Sequence, residues 1–351
     1  MVVFFLCLLC AVGTPAQQSN STPTFTAFEA PDAVNGTIGW SINTAAAITG
    51  HYFSPKGESH GYVRNSSGGM ATFDAPSTNS GTVALSINDA GTVTGVYPDA
   101  RNVNHGLVRD PSGAMTSFDA PGAGTRGGQG TVPQCINAAG TIAGYYLTAS
   151  ETFQGFLRAA NGVITGFEAP GAGGRNKGTL ALGINDSGAI AGDYLDASGV
   201  NHGFLRAASG VITTFDAPGA SDTVAFAINT AGAIAGFYWD SSHVSHGFVR
   251  APNGSMTVFD APSAGTGHSQ GTFPNNINET GAIIGYYLDA STLYHGFVRD
   301  PKNGAVATFD APGAGTNENQ GTVPYSINKV GGIAGYYVDV SGLDHGFLPT
   351  P

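Results

Sequence analysis

The chain has 351 residues, of which 41% are apolar and only 11% charged, with 53 Gly, 19 Pro and a formal charge of −11. Disorder needs low hydrophobicity and high charge, so this composition implies a buried core, and its richness in Gly, Thr, Val, Ile, Phe and Tyr implies short strands joined by tight turns. The acidic balance excludes nucleic acid as a partner, because that ligand wants a basic surface. Arg64, Arg109, Arg158, Arg206, Arg250 and Arg299 occupy one equivalent position in a repeat, which leaves seven basic residues for everything else and no basic patch.

In chain order, Val2 to Val12 form an apolar run too short to span a bilayer. Thr14 and Ala16 follow at the −3 and −1 positions of a cleavage site, so residues 1–16 read as a signal peptide, although the run lacks a leading Lys or Arg. Residues 17–23 read as a polar linker and 24–349 as one repeat domain. The expected localisation is secreted, or periplasmic or cell-surface, after cleavage, with no membrane span in the mature chain. Cys7 and Cys10 would leave with the signal, so Cys135 has no intramolecular disulfide partner.

Internal repetition dominates the remainder. Phe-(Asp/Glu)-Ala-Pro begins at Phe28, Phe73, Phe118, Phe167, Phe215, Phe259 and Phe309. Ile-Asn pairs end at Asn43, Asn88, Asn137, Asn185, Asn229, Asn278 and Asn328, and a His-Gly-aromatic motif or a variant begins at His60, His105, Gln154, His202, His246, His295 and His345. One unit reads as four strands: a from Thr179 to Asn185, b from Ala189 to Leu195, c from His202 to near Arg206, and d from Val211 to Asp216. Asn-x-x-Gly at Asn185 makes the first turn, and Pro218, which lacks a ladder donor, stops the last strand.

Four short antiparallel strands repeated seven times predict an all-β, seven-bladed β-propeller of four-stranded antiparallel blades. The chain opens on a lone strand d at Thr24–Pro31 and closes on a strand c at His345–Leu348, so the N-terminal strand is expected to join the last blade and close the ring.

The units resemble the extracellular repeat family named HAF, through Ile184-Asn185, Gly188, Gly192-Asp193-Tyr194 and His202-Gly203-Phe204 and their equivalents. They depart from it in Gly for the Ala of the name motif, in Gln154 for His, and in Ala46 where other units place the turn Gly. The resemblance implies an exported bacterial repeat protein and brings no established activity with it.

Two kinds of site residue follow. Asp74, Asp119, Asp216, Asp260 and Asp310, with His60, His105, His202, His246, His295 and His345, recur at strand ends that share one edge. They read as a structural network in which His bridges carboxylates, since catalysis needs one converging site and a metal needs closely grouped ligands. No catalytic residue, metal site or cofactor is expected. The Tyr pairs Tyr145-Tyr146, Tyr286-Tyr287 and Tyr336-Tyr337 read as blade packing.

Function is expected where the repeats differ. The long loops from strand d to the next strand a carry Arg126, Arg175, Lys177, His268 and Glu318. Two residues before the invariant Ile of strand a stand Trp40, Leu85, Gln134, Leu182, Phe226, Asn275 and Tyr325, a position that approaches the channel if strand a is innermost. Trp40, Gln134, Asn275 and Tyr325, with the five loop residues, are the candidate binding residues, on the face that holds the d-to-a loops. The leading reading is an exported, monomeric, non-enzymatic binding or interaction module for a glycan or an extracellular protein. A propeller-type polysaccharide lyase or glycosidase, and a purely structural envelope protein, remain the alternatives.

Overall fold

The computed structural model describes residues 24–76, 78 and 80–350. The expected signal peptide and linker, with Cys7 and Cys10, lie outside the described residues. Those described form 28 strands and no helix.

Each repeat is a four-stranded meander. In the fourth, strand a is Gly178–Ile184, b Ile190–Leu195, c Asn201–Arg206 and d Ile212–Phe215. The repeated motifs are its joints. Asn185 ends strand a, and its Oδ1 accepts the Ala189 amide at 2.9 Å, which pins the turn. The hydroxyl of Thr179, fully buried, accepts the amide of Ala169 at 2.8 Å, so the Ala of one repeat's Phe-Glu-Ala-Pro is tied to the next repeat's strand a. Arg206 lays its guanidinium over the Phe167 ring of the preceding repeat, 5.0 Å from the centroid. Six such Arg–Phe stacks account for the repeated Arg. Between repeats 3 and 4 the core holds Ile190 and Phe204, both without exposed surface, packed with Ala143, Ala181 and Leu157. Burying each such large side chain contributes about 1.5–3 kcal/mol.

The expectation of seven separate antiparallel blades is corrected. Repeat 1 alone is a four-stranded sheet, whereas repeats 2–4 fuse into one mixed twelve-stranded sheet, and repeats 5–7 with the N-terminal strand fuse into another. The joints are parallel pairings of strand c in one repeat with the head of strand a in the next, such as Phe153 with Gly178. Gly178 adopts φ +128°, and a Cβ there would meet the Phe153 carbonyl oxygen at 2.0 Å, so only glycine permits this approach. Gly130, Gly271 and Gly321 make the same joint. Repeat 5 begins strand a with Asp222, whose carboxylate instead accepts the Asn201 amide at 3.0 Å, and the sheet is interrupted there.

The first and last described strands meet. Strand Thr24–Phe28 pairs antiparallel with Asp344–Thr350, Phe28 opposite Gly346 and Thr26 opposite Leu348. The circle also closes at its centre. Each Asn of the Ile-Asn pairs donates Nδ2–H to the carbonyl of its counterpart in the next repeat, from Asn43 to Asn88 at 3.1 Å and onward, until Asn328 donates to Asn43 at 2.9 Å. These side chains are 4–6% exposed, so each link satisfies groups that would be costly to leave unpaired.

Candidate functional site

Strand a surrounds the axis, and one irregularity recurs in all seven copies. The ladder between strands a and b shifts register between Ala181 and Gly183, leaving Leu182 outside the pairing. The same bulge isolates Trp40, Leu85, Gln134, Phe226, Asn275 and Tyr325. A bulge re-aims a side chain, and here it turns these seven residues inward to line one axial cavity of about 230 Å³. A second axial cavity of about 150 Å³ lies toward the a-to-b turns, and Ile87, Ile136, Ile184, Ile228 and Ile277 line both. The invariant Ile therefore separates an upper chamber, on the side where strand a begins, from a lower one.

The upper chamber is variable and lopsided. Trp40 and Tyr325 meet edge to face at 4.3 Å between centroids, and Tyr325 meets Phe226 at 6.3 Å and 77°. Leu85, Gln134 and Leu182 form the opposite wall. Asn275 donates one Nδ2–H to the Pro324 carbonyl at 2.9 Å, leaving its second N–H and its Oδ1. Burial pushes the Tyr325 hydroxyl up to about 12, so it stays protonated. Cys135 borders the chamber but is no nucleophile: burial raises its thiol to about 12, and Sγ donates to the Ala143 carbonyl.

The lower chamber is ringed by the Asn-x-x-Gly turns. Lys329 reaches from repeat 7 to Asp89 of repeat 2 at 3.1 Å and Asp186 of repeat 4 at 3.2 Å, bridging the mouth.

A second layer escaped sequence reasoning. The residue after the strand-b Gly is His51, Val96, Tyr145, Asp193, Phe237, Tyr286 or Tyr336, and several of these stand directly behind the chamber wall. The Trp40 indole N–H donates to His51 Nδ1 at 2.8 Å, and burial lowers His51 to about 4, so it is a neutral acceptor with its proton on Nε2. Tyr145 has its hydroxyl in reach of the Gln134 amide. Asp193 is 4% exposed and raised to about 7, mainly by burial and further by the Asp222 charge. The available signal was a varying residue type inside a constant frame, the same signal that exposed the chamber position one strand earlier. The Tyr pairs accordingly divide. Tyr146, Tyr287 and Tyr337 are buried at 4–8% exposure, while Tyr145, Tyr286 and Tyr336 back the axial wall.

The His and carboxylate residues meet within each repeat. His202 Nδ1 lies 2.8 Å from Asp216 and Nε2 3.7 Å from Asp196, with the ring stacked on Tyr194. His105, His246 and His295 repeat the arrangement with Asp119, Asp260 and Asp310. His60 pairs with Asp74, and His345 joins Glu29 of the first strand to Asp339. Where Gln154 replaces His, the Tyr146 hydroxyl donates to it. These clusters stay apart around the ring. Among the described residues no group of three such side chains is arranged to hold a metal ion.

The charged loop residues do not converge on the chamber, and none lines it. Arg175 pairs with Glu151 at 2.6 Å and Lys177 donates to the Ala197 carbonyl, so both tie their loop to a b-to-c turn. His268 stacks on His243 at 4.6 Å, which stacks in turn on Trp239 at 4.3 Å. Arg126 and Glu318 sit exposed on their loops.

No family model and no curated protein sequence matches the chain. Solved structures do match its fold. A streptogramin B lyase aligns with TM-score 0.61 at 13% identity over 93% of this chain and 98% of its own. Virginiamycin B lyase from Staphylococcus aureus gives 0.61 at 12%, over 93% and 99%. A puromycin hydrolase gives 0.54 at 11%, over 89% of this chain and 52% of its own. The chain thus has an all-β, repeated-strand fold resembling β-propeller proteins. At these identities the likeness is one of fold alone.

Proposed function

We propose that the chain is an exported binding module that takes a small ligand into the upper chamber. The observation that carries this reading is the sevenfold bulge. It delivers to one cavity the strand-a position that varies most, inside a frame where Ile, Asn, Thr and Gly hardly change. An aromatic wall with a few convergent polar groups is the usual make-up of a small-ligand pocket, and the volume sits at the small end of such sites. The enzymatic alternative wants a pair of facing carboxylates or an acid–base couple, and the described lining contains neither. The shared fold of two lyases adds no residue to it.

The chain has two tryptophans, so a Trp239→Phe variant reports from Trp40 alone. Screening it by fluorescence against sugars, amino acids and small amines should yield ligands that shift Trp40 emission. Calorimetry with Gln134→Leu and Tyr325→Leu variants should then show weakened binding. If ligands bind these variants as well as the parent, while shortening the loops at 122–130, 171–178, 263–271 and 313–321 abolishes binding, the site is the loop rim and the chamber reading falls. Export is tested on the full chain, which should be recovered cleaved after Ala16 outside the cytoplasm.

A further inference from the structure

We infer that the upper chamber selects a small organic cation of the quaternary or methylated ammonium type. This deepens the proposal above and rests on it. Three rings from repeats 1, 5 and 7 stand nearly perpendicular in sequence, Trp40 to Tyr325 at 85° and Tyr325 to Phe226 at 77°. Aromatic faces carry negative potential, and boxes of such rings hold soft cations whose hydration is weak.

The surrounding charge has the matching sign. The lining contains no Lys, Arg or His. Lys329, the basic residue nearest the axis, lies beyond the Ile ring and is held by two aspartates. On strand b of repeat 4, opposite Leu180, Asp193 is buried, and the charge acting on it is a second carboxylate, Asp222. The Asn275 amide, one N–H of which is engaged, keeps its Oδ1 as an acceptor.

The polar groups of the lining are what a neutral polyol would engage, which makes glucose the necessary comparison. Each buried hydroxyl needs a partner, and the chamber hydroxyls of Ser41, Ser86 and Ser326 already accept the amides of Ile87, Ile136 and Ile42. The three Ser O–H donors, the Gln134 and Asn276 amides, the second N–H and the oxygen of Asn275, and the Tyr325 hydroxyl remain.

The test is calorimetric titration of the full mature chain with choline, with its uncharged isostere 3,3-dimethyl-1-butanol, and with glucose. Choline should bind at least about tenfold tighter than the isostere, the ratio expected when a cation meets desolvated aromatic faces. Trp40→Leu should lose about tenfold in choline affinity, and Trp40→Phe should recover part of it, with far-ultraviolet dichroism unchanged in both. Equal binding of choline and the isostere overturns the inference, because charge would then contribute nothing. Glucose binding that perturbs Trp40 while choline does not bind also overturns it but leaves the chamber as a ligand site. If Tyr325→Leu and Gln134→Leu leave every ligand's affinity unchanged, the chamber reading falls with it.

Discussion

Asp193→Asn is expected to stabilise the protein at neutral and alkaline pH and to do nothing in acid. Asp193 sits at 4% exposure on strand b, opposite Leu180, with its carboxyl raised to about 7 by burial first and by Asp222 second. In the unfolded chain the same group titrates near 3.9. Below about pH 4 both states are protonated and the residue costs nothing electrostatically. Between about 4 and 7 the unfolded chain ionises while the folded one resists, so stability falls by up to 1.36 kcal/mol per pH unit. Above about 7 the cost is constant, at roughly 4 kcal/mol for the shift from 3.8 to about 7. Asparagine cannot ionise. The difference in unfolding free energy between variant and parent, measured by urea titration at pH 4, 5, 6, 7 and 8, should therefore climb by several kcal/mol across the series. Any unpaired Asn N–H adds only a pH-independent offset, so the slope and not the intercept carries the result. A difference that stays level within about 1 kcal/mol from pH 4 to 8 would falsify the claim that this carboxyl is buried and uncompensated.

Asn185→Ala removes one link of the axial Asn circle, orphans the Ala189 amide and leaves the Asn229 carbonyl with the Gly232 amide alone; urea unfolding should show a loss of about 1–3 kcal/mol, and a loss below about 0.5 would mean water replaces the link. His202→Ala breaks a His–Asp pair whose side chains are 24% and 53% exposed; the expected cost is about 1 kcal/mol, the low end for hydrogen bonds to charged groups, with ligand affinity in the chamber unchanged, and lost affinity at unchanged stability would reassign the His set to binding. Deleting residues 24–31 strips Phe28, 9% exposed, from the seam and bares the edge of the last strand; light scattering should reveal aggregation, and a monodisperse product with the parent's melting temperature would show the seam to be dispensable.

The strands were legible because turn chemistry brackets them. Asn185 and Gly188, then Asp196 and Gly199, fix the ends of strands a, b and c to within one or two residues of where they lie. The sheet layout was not legible, because each joint is a single residue pair: Asp222 interrupts one, while Gly81 still bridges to Ser59 between two separate sheets. A pattern of alternating short strands looks the same whether position 178 is a glycine that admits the neighbouring carbonyl or an aspartate that does not. The chamber position was readable as the variable place before an invariant Ile, although the bulge that turns it inward was not. The charged loop residues lie away from the chamber, and charge on a polar loop serves to tie neighbouring turns as well as to meet a ligand, as Arg175 does with Glu151.

Near-identical repeats around an axis explain why so few residues remain to carry specificity. Seven copies of one side chain on a ring give a pattern that looks alike from every repeat, and a small ligand without that symmetry can touch only part of it. Information about the ligand must therefore reside in departures from the repeat. The axial frame has almost none: Asn passes its hydrogen bond to Asn seven times, and Ile closes the chamber floor. The departures concentrate at the bulge, where repeats 1, 5 and 7 present Trp, Phe and Tyr while repeats 2 and 4 present Leu. They continue in the layer behind, where His51 holds the Trp40 indole and Asp193 stands buried across the axis. One half of the chamber is thus aromatic, and the other is aliphatic apart from Gln134. That asymmetry is the feature a ligand can read, and it costs the fold little, because the bulge sets these side chains outside the strand ladder that holds the ring together.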